Sequence, residues 1–489
     1  MKTNISPAEL INNLRLTNDA QIGVCSHTDD VTPNDIYIAL GGGIHYLRQA
    51  LDNGALAVVY QVGSKVPDVL RRLENVYEVN DLDGFVEELL SEVYGKDVAN
   101  ADLIGITGTN GKTSCAHFTC QLFDLLEEKA GYIGTLGYGV VGDVLSASRN
   151  TTPDRITLYR YIALLKRMGC NKIVMEVSSH GIALGRIAGL GFSVGAFTNL
   201  SRDHLDFHLT MQAYEETKLS FFADYSVNKL VVNADDAVGK NLIKDWSGDP
   251  GGGLSSYGKA SANMDEYYQY SFNDVDGNAC IEVRYQHSKY ELRVNIKGQY
   301  NIENLMAAVL ICCVSGYSLK QIEAITALVK PVPGRLECNR MPNGLNVCVD
   351  YAHTPAGMEG VLTDMSLRLN DLSATWCVFG CGGKRDRGKR QVMGQVASVN
   401  SEHVVIADDN TRGEQAETIL CDILEGIDVK RGLIICRDRG QAITHVLESA
   451  DSDDLVLVLG KGNELMMDYG LNKVPHGDID VISHGVMSL

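Results

Sequence analysis

The sequence predicts an α/β protein of three domains, the central one with a mainly parallel sheet and the C-terminal one doubly wound. Three observations predict it. At 489 residues the chain exceeds what one hydrophobic core usually serves, so about two to four domains are expected. Short apolar runs alternate with helical patterns from about residue 101 onward. The stretch Ile104-Gly105-Ile106-Thr107-Gly108-Thr109-Asn110-Gly111-Lys112-Thr113-Ser114 reads as a buried strand running into a glycine-rich turn and then into a helix.

Residues 1–98 read as a small α/β domain, with strand-like Asp35-Ile36-Tyr37-Ile38-Ala39-Leu40 and Ala55-Leu56-Ala57-Val58-Val59-Tyr60 around a short helical stretch. The polar segment Lys96-Asp97-Val98-Ala99-Asn100 is expected to be a linker. The second domain, 99–330, carries strands at Lys172-Ile173-Val174-Met175-Glu176-Val177 and Lys229-Leu230-Val231-Val232-Asn233. A Gly/Ser-rich piece from Ser247 to Ser261 is expected to be an irregular surface insertion before a short β region. Lys330-Pro331-Val332-Pro333-Gly334-Arg335 cannot continue a helix and marks the next boundary. The third domain, 331–489, holds apolar runs at Asn346-Val347-Cys348-Val349, Thr375-Trp376-Cys377-Val378-Phe379, Val404-Val405-Ile406-Ala407, Gly432-Leu433-Ile434-Ile435 and Leu455-Val456-Leu457-Val458-Leu459.

Composition is ordinarily globular, 45% hydrophobic and 21% charged, and 43 basic against 62 acidic residues leave a net charge of −19. That balance argues against nucleic acid or a membrane surface as partner. The 13 cysteines form no CxxC framework and lie mostly in apolar runs, so reduced buried thiols in a cytoplasmic protein are expected. The first residues lack the apolar core of a signal peptide, and no run reaches membrane-spanning length.

Within the glycine-rich turn, Gly108 and Gly111 let backbone N–H groups approach phosphate oxygens, Lys112 brings a point charge and Thr113 offers a hydroxyl to Mg²⁺. Ile106 stands where the strict pattern wants its first glycine, so the motif rests on Gly-Lys-Thr and on its strand and helix. A glycine-rich turn without a ligand is the plainer alternative. Phe118, Leu122 and Leu125 recur at helical spacing and predict an amphipathic helix.

Glu176 ends a buried strand, where a carboxylate faces the ligand crevice of a parallel sheet. A metal role fits it; a helix-capping polar cluster over Ser178, Ser179 and His180 is the alternative. No Gly-x-Ser-x-Gly elbow is present, which sets a hydrolase aside. The run Thr198-Asn199-Leu200-Ser201-Arg202-Asp203-His204-Leu205-Asp206-Phe207-His208 holds too many acids and imidazoles for a core, and His204 reads as a metal ligand. From spacing alone Lys218 is a solvated lysine on a helix face.

Taken in order, Gly108-Thr109-Asn110-Gly111-Lys112-Thr113, Glu176-Val177-Ser178-Ser179-His180, Thr198 to Asp206, Asn301-Ile302-Glu303-Asn304, Pro333-Gly334-Arg335 and Asp350-Tyr351-Ala352-His353-Thr354-Pro355 resemble the Mur ligases over about residues 100 to 480. Within that family the chain is most similar to the branch that adds a diamino acid. The resemblance implies an ATP-dependent amide ligase using Mg²⁺, with an N-terminal domain for a UDP end, a central ATPase domain and a Rossmann-like C-terminal domain for the incoming amino acid. It implies that Gly108, Thr109, Asn110, Gly111, Lys112, Thr113, Ser114, Asn304, Arg335 and Asp350 hold the nucleotide, Arg335 on phosphate and Asp350 on ribose. It further implies that Thr113, Glu176 and His204 bind Mg²⁺, and that Lys218 is carbamoylated and accompanies the metal. Lys112, Glu176, His204 and Lys218 are then the catalytic set. Ser26, Thr151, Thr152, Ser178 and Arg186 match positions that hold the sugar-peptide.

For the amino acid, the resemblance implies that Arg385, in the turn Gly380-Cys381-Gly382-Gly383-Lys384-Arg385-Asp386-Arg387-Gly388-Lys389-Arg390, meets the substrate. A solvated basic turn is the alternative there. Asp409-Asn410-Thr411-Arg412 resembles the family's Asp-Asn-Pro-Arg signature, whose arginine fork takes a distal carboxylate. Gly460-Lys461-Gly462-Asn463-Glu464 resembles Gly-Lys-Gly-His-Glu, whose glutamate pairs with the distal amine. Arg412 and Glu464 together describe the zwitterionic end of meso-diaminopimelate. The implied reaction joins that amino acid to UDP-MurNAc-L-Ala-D-Glu through an acyl phosphate in peptidoglycan precursor synthesis. The implied protein is a cytoplasmic monomer whose partners are small molecules, a nucleotide-sugar peptide and a diamino acid. Cys25-Ser26-His27 departs from the family's Asp-Ser-Arg, and Leu184 stands where a glutamine is common. Two other possibilities stay open: a Mur-like ligase acting on a carboxylate without UDP in another pathway, and a non-catalytic Mur-like binding protein.

Overall fold

The computed structural model describes residues 5–15, 21–246, 253–259, 267–275, 278–368, 373–428 and 432–486. The chain divides into two compact units, one built from residues 1–105, 127–193 and 224–226, the other from 106–126, 194–223 and 227–489.

The first unit opens with a four-stranded parallel sheet in the order Gly23–Cys25, Asp35–Ile38, Ala57–Gln61, Val76–Val79. Both strands expected near residues 35 and 55 are present, the first ending two residues early and the second starting two residues late and ending one residue beyond. The expected linker at 96–100 is overturned, because Leu82–Ala99 is one helix. Asp81 caps it by accepting the Gly84 N–H at 3.0 Å, and Leu82, Phe85, Val86, Leu89, Leu90 and Tyr94 bury its inner face. A polar last turn resembles a linker when composition alone is weighed. The remaining strands follow the order Asp102–Thr107, Lys172–Glu176, Ala130–Gly134, Gly137–Val140, the last pair antiparallel.

In the second unit the strands run Ser288–Arg293, Asn278–Tyr285, Tyr267–Val275, Leu254–Gly258, Val227–Asn233, Phe192–Phe197. Leu254–Gly258 corrects the expected irregular insertion: it pairs in parallel with Val227–Asn233, and Ser255, Ser256 and Tyr257 are buried. Residues 247–252 and 260–261 of that insertion lie outside the described residues. The helix Lys112–Leu125 is buried from Thr113 to Phe123 apart from Gln121, so the expected amphipathic pattern gives way to burial on all sides. Its small residues Ser114, Cys115 and Ala116 permit close packing, and Gln299–Val314, itself largely buried, lies against it.

The C-terminal sheet has the order Glu337–Arg340, Asn346–Asp350, Leu455–Leu459, Thr375–Phe379, His403–Ile406, Gly432–Ile435, parallel except for its first pair. All five expected strands are there. Leu455, Leu457 and Leu459 enter one apolar cluster while Val456 and Val458 enter the other, which is why a strand covered on both faces reads as an unbroken apolar run. Cys338 and Cys348 stand directly opposite each other across the antiparallel pair and form a disulfide, which corrects the expectation of 13 reduced thiols. Cross-strand register creates that neighbour, and chain spacing does not announce it. Among the described residues no helix is long and apolar enough to cross a membrane.

Arg439 and Asp478, both buried, meet through two bonds of 2.7 Å and tie helix Arg439–Ser449 to helix Asp478–Val486. Burial alone would raise the Asp478 pKa, but the Arg439 charge and its hydrogen bonds hold it well below the usual carboxylate range. Arg439→Met strands that carboxylate and should cost about 3–5 kcal/mol in urea unfolding at neutral pH. Because the folded pKa is depressed, the stabilisation is complete above an unfolded carboxylate value of about 4 and fades only as pH falls toward the folded value. A loss that stays constant down to the acid unfolding transition would contradict this.

Candidate active site

The phosphate loop is shaped by two glycines in left-handed backbone. Gly108 has φ 149° and Gly111 φ 88°. A Cβ on Gly108 would strike the Thr198 hydroxyl, and one on Gly111 would strike the Asn304 amide. Neighbouring segments hold the loop: Thr109 N–H donates to Asn199 O at 2.8 Å, Asn110 N–H to Asn199 Oδ1 at 3.0 Å, and Thr198 Oγ1 to Asn110 O at 2.7 Å. Thr109 Oγ1 accepts the Ser201 N–H at 3.0 Å and sits 3.2 Å from the Tyr214 hydroxyl. Lys112, first residue of the helix, folds its ammonium back onto Gly108 O at 2.8 Å and Thr109 O at 3.0 Å. Thr113 and Ser114 follow in the first turn, where backbone N–H groups and the helix dipole favour an anion.

Lys218 is the first departure from expectation. It is 1% exposed on helix Met211–Ala223, not a solvated lysine, and its Nζ donates to Gly108 O at 2.7 Å. Burial, with the Lys112 charge adding to it, pushes its pKa well below the ordinary lysine value. The acidic run before it is also more buried than expected. Asp203 accepts Lys389 Nζ at 3.0 Å and lies 3.5 Å from the ring nitrogens of both His204 and His353. Burial alone would raise its pKa, but the His353 hydrogen bond and the Lys389 charge hold it well below the usual range. His204 itself adopts left-handed backbone, φ 55°, at the start of the short helix Leu205–His208.

Arg335 reaches the same loop, donating to Thr113 Oγ1 at 3.1 Å with its guanidinium 4.1 Å from the Tyr351 ring centroid. Asp350 ends its strand and is occupied by the chain itself: it accepts Leu336 N–H at 2.6 Å, Ala352 N–H at 2.7 Å and Tyr300 O–H at 2.9 Å. It thereby fixes the turn that carries Tyr351 and His353.

The C-terminal strand ends converge as a doubly wound sheet requires. Asn410 joins the two expected signatures: its Nδ2 donates to Glu464 Oε2 at 2.8 Å and its carbonyl accepts Arg412 Nη1 at 3.2 Å. Buried Lys461 bonds Glu464 Oε2 at 2.9 Å, and the Tyr351 hydroxyl bonds Oε1 at 3.3 Å. Arg412 takes left-handed backbone, φ 50°, and Gly460 lets Asp409 approach. The basic turn is only half solvated. Arg385 is 44% exposed and 4.0 Å from Asp206, whereas buried Arg390 is clamped by Glu414 and Asp422 at 2.8–2.9 Å. Lys389, Arg390 and Asp203 were not singled out from sequence. The buried face Met393 and Ala397, extended one turn back at helical spacing, lands on Lys389 and Arg390 and would have found them.

In the first unit, Glu176 is buried and accepts the Tyr132 hydroxyl at 2.6 Å and the Thr135 N–H at 2.8 Å. Ser178 caps helix Ser179–Ala183, so the capping alternative holds for that residue. Thr152 Oγ1 lies 3.0 Å from Ser178 Oγ and bonds Glu176 O at 2.8 Å, Arg186 donates to Thr152 O at 2.7 Å, and Thr151 touches Thr135 at 3.0 Å. Ser26 instead donates to Asp154, the cap of helix Arg155–Arg167, at 3.1 Å. Of the residues expected to hold a sugar-peptide, Thr151, Thr152, Ser178 and Arg186 therefore form one polar cluster with Thr135 and Glu176.

A glycine-shaped loop at a helix N-terminus with a lysine folded onto its carbonyls, and an arginine and a held glutamate on loops of the C-terminal sheet, have the make-up of a nucleotide-dependent enzyme that acts on a second small molecule. Residues 106–312 match the Mur ligase middle domain, and residues 334–462 match the Mur ligase, glutamate ligase domain. The chain belongs to the Mur ligase family, and so is an ATP-dependent amide ligase. It is 37% identical over 460 residues to the UDP-N-acetylmuramoyl-L-alanyl-D-glutamate–2,6-diaminopimelate ligase of Pseudomonas aeruginosa, covering 92% of each chain. The ligase of the same name from Coxiella burnetii is 33% identical over 455 residues, again 92% of each. A solved structure of a UDP-N-acetylmuramoyl-L-alanyl-D-glutamate–2,6-diaminopimelate ligase superposes with TM-score 0.61 at 29% identity, over 96% of this chain and 97% of that one. The MurF ligase from Thermotoga maritima, solved with ADP, shares the fold with TM-score 0.64 at 16% identity over 96% and 97%.

Proposed function

We propose that this protein joins meso-diaminopimelate to UDP-MurNAc-L-Ala-D-Glu, in the cytoplasm and as a monomer, for peptidoglycan synthesis. The observation that carries the proposal is the Asn410 bridge between Arg412 and Glu464. An arginine fork suits a carboxylate, and Glu464 Oε1, with one bond of 3.3 Å, has capacity for an ammonium. One small zwitterion satisfies both. The three-part division at residues 99 and 331 fits this reading, with the UDP end served by Ser26 and by the cluster around Thr152 and Ser178.

In the first step Lys112 would neutralise charge on the phosphoryl group as it moves to the acceptor's carboxylate, with Arg335 steering phosphate. The acyl phosphate so formed is the electrophile that a free carboxylate is not. The amine of the diamino acid, oriented by Arg385, Arg412 and Glu464, then displaces phosphate. Thr113, His204 and carbamoylated Lys218 are donors of the kind that complete a cation held mainly by phosphates and water, which fits Mg²⁺; Glu176 is assigned to it by resemblance. When bound, Mg²⁺ supplies further charge neutralisation at the phosphates.

Arg412→Ala tests the amino-acid assignment. L-Lysine offers Arg412 no carboxylate, so the parent should prefer meso-diaminopimelate by about 2 to 4 kcal/mol, roughly thirty-fold to a thousand-fold in kcat/KM. The variant should lose most of that preference by losing activity toward diaminopimelate alone. Equal losses for both amino acids, or a parent that prefers lysine, would remove the assignment.

A further inference from the structure

Two short segments of the second unit face each other with matched charge. Arg202 grips Asp386 through two bonds, 3.0 and 3.1 Å; Asp203 takes Lys389 at 3.0 Å; and Asp206 lies 4.0 Å from Arg385. The central pair is the buried one, with side-chain exposures of 7% for Lys389 and 4% for Asp203. Each segment is tied to a different half of the chemistry. Arg202 to Asp206 continues from the Thr198 to Ser201 stretch that holds the phosphate loop. Arg385 to Lys389 leads into helix Gly388–Asn400 and continues from Gly383, whose carbonyl accepts Arg412 Nη1 at 3.4 Å and whose N–H donates to Asn410 O at 2.9 Å. Asp386 further fixes that turn by accepting the Gly388 N–H at 3.0 Å.

We propose that Lys389 is a positioning residue, which through Asp203 sets the distance between the activated carboxyl group at the phosphate loop and the amine held by the Arg412 and Glu464 loops. The inference rests on the ligase reading above and adds a residue to it. Lys389 touches neither the phosphate loop nor Glu464; it acts by holding one segment against the other. The pair is buried, so a lysine that served solubility alone has no reason to be there. Displacement of a reacting group by about an ångström costs on the order of a hundred-fold in rate. The loss should fall mainly on amide formation, because only that step needs the amine held by the Arg412 and Glu464 loops to be brought against the activated carboxyl group.

The two half-reactions separate cleanly in an assay. With ATP, Mg²⁺ and UDP-MurNAc-L-Ala-D-Glu but no amino acid, hydroxylamine traps the acyl phosphate as a hydroxamate; with meso-diaminopimelate, the amide is counted. Lys389→Met should trap hydroxamate within about threefold of the parent while kcat/KM for meso-diaminopimelate falls on the order of a hundred-fold. Lys389→Arg, which keeps the charge, should recover most of it. Asp386→Asn, which loosens the adjoining more exposed pair, should show the same split more weakly and serves if Lys389→Met fails to fold. Equal losses in both half-reactions, or unchanged amide formation in both variants, overturn the positioning role. A parent that forms no hydroxamate overturns the ligase reading itself, and this inference with it.

Discussion

Lys218→Ala is expected to lose amide formation by on the order of a hundred- to a thousand-fold with its fold retained, and a short-chain carboxylic acid should restore part of it. Lys218 is 1% exposed, and burial together with the Lys112 charge disfavours its ammonium. A neutral amine is the form that attacks CO₂, and the product is an anion. Lys112, which repels the ammonium, then attracts the carbamate, so modification turns an unfavourable neighbour into a favourable one. Acidification through the depressed pKa protonates the amine and removes the carbamate, so activity should fall on the acid side and recover with added bicarbonate. Mass spectrometry of native protein, or a ¹³C-bicarbonate signal, reports the adduct. An active parent that carries unmodified Lys218 would end the proposal.

Lys112→Ala should abolish phosphate release in the presence of all substrates, by on the order of a hundred- to a thousand-fold, without unfolding the protein. The ammonium rests on Gly108 O and Thr109 O, carbonyls of the loop it serves, at 2.8 and 3.0 Å. Moving from those carbonyls onto a transferring phosphoryl group exchanges two neutral acceptors for charged ones, which is the stronger contact. Thermal unfolding should be nearly unchanged. Phosphate release near that of the parent would mean that Lys112 is a loop fastener and not part of the chemistry.

What was legible in the sequence was local. Gly108 and Gly111 announce their turn because only glycine accepts that backbone beside Thr198 and Asn304. Leu455–Leu459 announces itself because both faces are covered. Lys218 was not legible as a buried residue, since its burial depends on a distant segment that brings Gly108 O to it, whereas Lys389 was legible only by extending the buried face of Met393 and Ala397, and its partner Asp203 not at all. Leu254–Gly258 hid behind serines that are buried in the sheet; the helix Lys112–Leu125 was legible, but its burial on every side was not, because its small polar residues read as a solvated face. The functional loops were legible as a resemblance, but the Asn410 bridge that joins them needed the fold.

The pairing of helix Lys112–Leu125 with helix Gln299–Val314 also bears on how the chain is made. A ribosome delivers the first helix long before the second, on the order of ten seconds or more at ordinary elongation rates. Throughout that interval the face of the first helix that Gln299–Val314 covers is open, and Gly111 lacks the Asn304 amide that lies against it. Non-local closure of this kind is slow and leaves apolar surface open to misassociation. A nascent chain stalled before Gln299 therefore has Thr198 and Asn199 to hold its nucleotide loop but lacks the Asn304 amide beside Gly111, and the apolar surface it leaves open makes it a natural client for chaperones.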